Sequence, residues 1–476
     1  VLEPEPPASP NRISPSCRWW LLAGSVLFAI IALLCVVVLV PAGVRALPGR
    51  YAARLPGFLQ DLRHRPHPDT LPTPLIATTP LALLTPTPTA LRLGGVTFVT
   101  TTPIKRVGVW ESGGTPTPAM LTPTRPQVEP TAPPTHTLTL VPIHTPTPTH
   151  TLTPTPPHPT SVSLPPITHT YQTWNNCGPA TLSMALRYFD RAETQADAAA
   201  SLKPDPEDKN VGPHEMAVYV RSLGLQATVR VGGDLTRLKR LIAAGFPVVV
   251  ETWFIPEPGD QMGHYRLLTG YDDGKGQFTS QDSYNGPNVH LGYDALDELW
   301  RVFNRLYLVV YYPSQADQLA AILGDDADDQ TMYVRALETA QAEAVNPSAE
   351  CVAYEDCADG SAFAWFNVGG SLTALGRHQE AAAAYDQARL LGLPWRMLWY
   401  QFGPYESYYA VSRCDDVIIL ATVTLNVADN LEESYYWRGM AYLAQGEPDK
   451  ARADFEAAIK YNPNFAAAAE ALESLE

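Results

Sequence analysis

The 476-residue chain is long enough for two or three domains, but 46 of its residues are proline and most of these crowd before residue 168, so much of it is not globular. Acidic residues outnumber basic ones 49 to 33, a formal net charge of −16. Phosphate recognition needs clustered Lys and Arg, so the composition speaks against nucleic acid as a partner and for a solvated acidic surface.

Taken in chain order, residues 1–18 read as an N-terminal tail and 19–43 as a transmembrane helix. The stretch from Trp19 to Val40 carries no charge, and roughly 20 apolar residues suffice to cross a bilayer. It is too long for the apolar core of a signal peptide, so the reading is a retained single-pass anchor with Trp19 and Trp20 at one interface. Arg12 and Arg18 precede it and Arg45, Arg50 and Arg54 follow it. Those charges taken literally would keep the C-terminal part inside. Long domains translocate despite nearby charge, and the chain beyond resembles an external stalk, so the expected location is a bacterial-type cell membrane with the large domains extracytoplasmic.

Residues 44–163 read as a juxtamembrane and Pro/Thr-rich disordered linker, built of units such as Thr85-Pro86-Thr87-Pro88. Proline at this density blocks helices and ladders, and threonine leaves no apolar face to bury. His136, His144 and His150 lie in it without carboxylate or cysteine partners, so they are read as solvated.

The chemistry lies in Tyr171-Gln172-Thr173-Trp174-Asn175-Asn176-Cys177-Gly178-Pro179-Ala180. Leu182, Ala185, Leu186 and Phe189 fall on one helical face, and Gly178-Pro179 suits a helix start, so Cys177 is predicted at a helix N-terminus. There unpaired N–H groups and the dipole favour a thiolate. Gln172 offers an amide donor to an oxyanion beside the Cys177 N–H. Downstream, 263–271 reads as a strand, 272–276 as a turn and 277–282 as the returning strand, which sets His264 across from Asp282. An activated cysteine needs that base and its orienting carboxylate. His214 and His290 face no carboxylate in a predicted hairpin and are read as surface residues.

These motifs, with Gly263-His264-Tyr265 and Gln281-Asp282-Ser283-Tyr284-Asn285-Gly286, resemble the papain-like cysteine peptidases of the bacteriocin-processing (double-glycine leader peptidase) group, in its stand-alone form. The resemblance covers roughly 164–312 and implies Cys177 as nucleophile, His264 as general base and acid, Asp282 as orienting carboxylate and Gln172 as oxyanion donor. Gln172 lies one position closer to the cysteine than that family has it. No ABC-transporter segment follows, which separates the reading from export-coupled leader processing. Further helices are predicted around 197–200, over 212–221 closed by Gly224, and over 235–244, followed by strands near 248–252 and 307–312. Helices before antiparallel strands fit an α+β domain, 164–314, whose helix and sheet meet at a cleft.

None of the six cysteines forms a Cys-x-x-Cys pair, so no metal and no cofactor is expected. Cys351 and Cys357 are spaced for a local disulfide; Cys414 is read as unpaired and buried. Residues 315–476 turn alanine-rich and helical. Trp365, Gly369, Leu372, Ala381 and Tyr385 recur at Tyr435, Gly439, Tyr442, Ala451 and Phe455, an offset of 70 or two repeats of about 35. These positions resemble tetratricopeptide repeats, clearest over 432–465, with a poorer middle copy at 410–416 and a degenerate unit at 320–345. Small residues admit close helix approach and Tyr385 and Phe455 fill the gaps. Such arrays bind a protein partner, or here shield the neighbouring domain. The sequence thus predicts an anchored thiol hydrolase that cleaves a peptide or protein substrate; a catalytically silent adaptor and an acyltransferase or transpeptidase are the alternatives.

Overall fold

The computed structural model describes residues 70–75, 92–93, 96–97, 158–257, 260–345 and 360–475. The chain divides into two units, 84–157 and all the rest. In the first of these the described residues form one two-rung antiparallel pair, Arg92↔Thr97 and Leu93↔Val96. The span expected at 19–43 and the cysteines at 17, 35, 351 and 357 lie outside the described residues. Among the described residues no helix is long and apolar enough to cross a membrane.

The larger unit begins its α+β part with β1 (Ser161–Ser163), α1 (Cys177–Tyr188), α2 (Gln195–Leu202), α3 (Pro213–Ser222), β2 (Gln226–Arg230) and α4 (Leu235–Ala243). Then come β3 (Val248–Glu257), β4 (Asp260–Asp272), β5 (Gln277–Asp282), β6 (Gly286–Gly292), α5 (Tyr293–Arg301) and β7 (Tyr307–Tyr311). The seven strands form one sheet, ordered β2-β7-β3-β4-β5-β6, with β1 beside β4. Each side chain alternates across the pleat. Val249, Leu267, Leu308 and Val310 therefore join one buried cluster with Leu182, Ala185 and Leu186 of α1. Val248, Val250, Leu268 and Val309 join another with Leu238, Leu241 and Ile242 of α4 and Trp300 of α5.

Local chemistry explains the boundaries. Thr194 and Asp197 form a reciprocal capping box on α2. Pro213 opens α3, and Gly224, with φ of 83°, follows its end. The linker reading is corrected at both ends. Ser161–Ser163 is a strand because Gly270 has no side chain: a Cβ there would meet Val162 O at 2.7 Å. Residues 70–75 are not free either; Leu71 is buried and its N–H donates to Leu393 O at 2.9 Å.

The helical part follows: α6 (Ala316–Leu323), α7 (Asp329–Val345), α8 (Gly360–Ala374), α9 (His378–Leu390), α10 (Gly403–Ala410), α11 (Cys414–Val427), α12 (Glu432–Ala444), α13 (Pro448–Tyr461) and α14 (Ala466–Glu473). From α8 to α13 these are three antiparallel pairs, turned by Gly376 and Gly446 at positive φ and, in the middle copy, by Ser412 at 61°. The expected interlock is present. A Cβ on Gly369 would sit 2.5 Å from the Tyr385 ring, and one on Gly439 2.6 Å from Phe455. Cys414 is half-buried rather than buried, and free.

Both parts share one buried cluster. Across the seam Arg305 bridges Asp297 and Glu343, Asn304 Nδ2 donates to Ser371 Oγ at 3.0 Å, and the Trp253 and Phe363 rings lie 5.5 Å apart.

Gly439→Ala should lower unfolding stability by about 1–3 kcal/mol despite alanine's better helix propensity, because the fully buried Phe455 ring cannot yield. Chemical denaturation of the purified chain measures this.

Candidate active site

Cys177 is the first residue of α1, with Asn176 as N-cap. The turn before it is held from two sides. Gln195, the first residue of α2, accepts from Thr173 N and Asn176 Nδ2 at 3.0 Å each and donates to Tyr171 O at 2.8 Å. Buried Lys203 Nζ donates to Asn175 O at 2.8 Å and Asp208 O at 2.9 Å. One turn into the helix, Thr181 Oγ1 donates to Tyr265 O at 3.1 Å, which fixes α1 against the strand that carries His264.

His264 is buried, and its Nε2–H donates to Asp282 Oδ1 at 2.9 Å. That leaves Nδ1 for the hydrogen bond between His264 and the Cys177 side chain. Phe254 lies over the imidazole with ring centroids 4.8 Å apart. Asp282 is fully buried. Its Oδ1 also accepts from the N–H groups of Tyr284 and Asn285 at 2.9 Å, and its Oδ2 from Arg266 Nε at 2.9 Å and Asn285 Nδ2 at 3.0 Å.

The hairpin register corrects the expectation that His264 stands across from Asp282. Asp272 pairs with Gln277, a bulge falls between Leu268 and Gly270, and Leu267 pairs with Gln281. The rung after Gln281 belongs to Arg266, so Asp282 reaches His264 diagonally along the same face.

Burial alone would push the Cys177 thiol up. The hydrogen bond and positive charge of His264, the Tyr265 N–H and the Lys203 charge outweigh it, and the thiol lies below its ordinary value. Burial alone would lower the His264 imidazole; the charge and hydrogen bond of Asp282 outweigh that and raise it. Asp282 itself is held far below the usual carboxylate range: desolvation opposes ionisation, but His264, Arg266 and the Asn285 N–H prevail. Buried Glu251 is driven the other way, by desolvation first and then by its nearness to Cys177.

Gln172 is half-buried; its N–H donates to Ser283 O at 2.9 Å, and Ser283 Oγ donates to its Oε1 at 2.8 Å. The oxygen end of the amide is thereby engaged, which leaves the NH₂ end as the donor it has to offer. His214 and His290 are both exposed. Among the described residues no group of His, Cys, Asp and Glu could hold a metal.

Sequence reasoning missed Arg266, Gln195, Lys203 and Asn285. Arg266 had a signal: it lies two residues from His264, hence on the same face, and is followed directly by the apolar pair Leu267-Leu268. It missed Tyr400 as well, which comes from the helical part and sits so close to the strand that a Cβ on Gly263 would lie 3.1 Å from its ring.

Residues 164–334 match the model of the Peptidase_C39 like family, and residues 432–465 match that of the tetratricopeptide repeat. The chain thus carries a C39-like peptidase domain fused to tetratricopeptide repeats. One of the six solved chains that match is the crystal structure of a candidate C39-like peptidase from Bacillus anthracis. It is 16% identical, with a TM-score of 0.27 over 32% of this chain and 96% of that one. No curated protein matches the chain.

The thiol lies below its ordinary value and the imidazole above its own, each supported by the hydrogen bond to the other. Alkylation of Cys177 should therefore rise with a midpoint below about 8.5, the value of an ordinary thiol. In His264→Ala the stabilising cation is gone, so the midpoint should move up by a unit or more. Iodoacetamide rates between pH 4 and 10 measure both.

Proposed function

We propose that this protein is a cysteine peptidase that cleaves a peptide or protein substrate through an acyl-enzyme on Cys177. The reading is carried by half-buried Cys177 and buried His264 and Asp282, in which the imidazole bonds the thiol on one side and the carboxylate on the other. Cys177 Sγ attacks the scissile carbonyl and its proton passes to His264. The C–N bond then breaks, and His264 returns the proton to the leaving amine. Water, deprotonated by the same imidazole, attacks the thioester carbonyl, the C–S bond breaks, and the acid departs from a restored thiol. Asp282 and Arg266 position the ring. Gln172 NH₂ and the Cys177 N–H are the donors for the oxyanion, and Ser283 sets the Gln172 amide in the required sense.

In this reading the tetratricopeptide repeats bind a protein partner, and residues 19–43 anchor the chain in a membrane with both domains extracytoplasmic. The uncharged run from Trp19 to Val40 supports the anchor.

Digestion of a peptide library, read by mass spectrometry, tests the chemistry. Cys177→Ala should abolish cleavage, a loss on the order of 10⁴-fold or more, with unchanged circular dichroism. Gln172→Ala should slow turnover by about 10²–10³. Cleavage that survives Cys177→Ala would overturn the assignment. The anchor has its own test. Full-length chain should sediment with membranes and resist alkaline carbonate, whereas deletion of 19–43 should release it.

A further inference from the structure

Residues 70–75, Thr70-Leu71-Pro72-Thr73-Pro74-Leu75, run along the end of α9 and reach the start of α11. Thr70 makes an antiparallel bridge with Pro394, and the Leu71 side chain is 3% exposed within the shared core. Beyond it the contacts are of one kind. Arg389 Nε donates to Pro72 O at 2.7 Å and its Nη2 to Thr73 O at 3.0 Å, while Nη1 donates to Asp416 Oδ1 at 2.8 Å. Leu75 N lies 3.4 Å from the same Asp416 oxygen, a weak bond that closes the segment.

The chemistry of the two sides matches. Proline has a carbonyl and no N–H, and an extended chain of this composition makes no internal hydrogen bonds, so it presents acceptors and few donors. Arg389 is the converse: a guanidinium buried to 2% exposure that can only donate. With the segment removed, Nε and Nη2 would lose the acceptors that these two carbonyls supply in a buried place, which is costly for a charged group. Asp416 is itself fixed by Arg413, whose Nε and Nη2 donate to Oδ2 at 3.0 and 2.7 Å. The floor is thus built before any ligand arrives. Leu75, 56% exposed, opens onto a cavity of about 610 Å³ whose lining includes Tyr409, Arg413 and Gln445, so the cleft continues past the docked segment.

We propose that the cleft floored by Arg389 and Asp416 is a binding site for extended proline-rich chain, and that residues 70–75 are its tethered resident ligand. A partner that presents a Leu-Pro-Thr-Pro backbone enters by displacing that resident. The inference names the ligand chemistry of the repeat domain and does not depend on the thiol site.

The probe is a fluorescent peptide of the sequence 68–77, added to full-length chain in detergent and followed by anisotropy. Chain in which residues 70–75 are replaced by Gly-Ser repeats should bind it at least tenfold more tightly than the natural chain, where a tethered competitor acts at an effective concentration near millimolar. Arg389→Lys, in the replaced chain, keeps the charge but loses the fork and should weaken binding at least tenfold. Equal binding by natural and replaced chains, or no effect of Arg389→Lys, would overturn the proposal. Amide exchange in the unmodified chain is the check that needs no variant: Leu71 N–H should exchange at least a hundredfold more slowly than in the free peptide, and equal rates would sink the inference.

Discussion

The Asp282 carboxylate is the group on which the site depends. It is an ionised acid with no exposed surface, a state that is tolerable only when the charge is paired and its lone pairs are filled. The His264 ring N–H, the Arg266 guanidinium and three amide donors meet that condition. They come from β4 and from the turn after β5, so the hairpin, its bulge and its tight return are all fixed by one oxygen pair. Arg266 gives the arrangement its balance. Its charge adds to that of His264 in holding Asp282 ionised, while it opposes protonation of the imidazole. Asp282 prevails because it touches the ring directly.

The thiol shows the same competition. Burial favours neutral Cys177, and the lowered value arises only because His264, a backbone N–H and Lys203 act together. Lys203 has a double part: it donates to the carbonyl of Asn175, two residues before the cysteine, and places positive charge behind it. The nearby Glu251 is pushed up by the same burial and by the charge of Cys177, against a hydrogen bond from Tyr265. Two buried acids of one sheet are thus shifted in opposite directions, set by their partners.

The helical part is no detachable appendage. Tyr400 lies against Gly263, one residue before His264, and Arg396 donates to Asp260 at 2.6 Å and to Gln261 O at 2.8 Å. The strand that carries the base is therefore braced by the repeat domain. One surface of the array packs against the α+β part through the shared core, Asn304 with Ser371 and Trp253 with Phe363.

How much was legible from the sequence follows from the range of each interaction. The start of α1 at Cys177, the extents of α3 and α4 and the interlock of Gly369 with Tyr385 and of Gly439 with Phe455 rest on local spacing, on proline and glycine, and on a repeat that displays itself twice. The residue types at 172, 177, 264 and 282 likewise announced a thiol and a base. Short or polar strands escaped notice: β1 has three residues, and β6 is largely exposed. The register of the hairpin was beyond reach because a bulge adds a residue without marking it in composition. What only the tertiary structure decided was pairing across long separations: Arg266 with Asp282, Tyr400 with Gly263, and Arg389 with carbonyls more than 300 residues before it. Sequence spacing carries helix and strand periods, whereas a buried charge finds its partners through the fold.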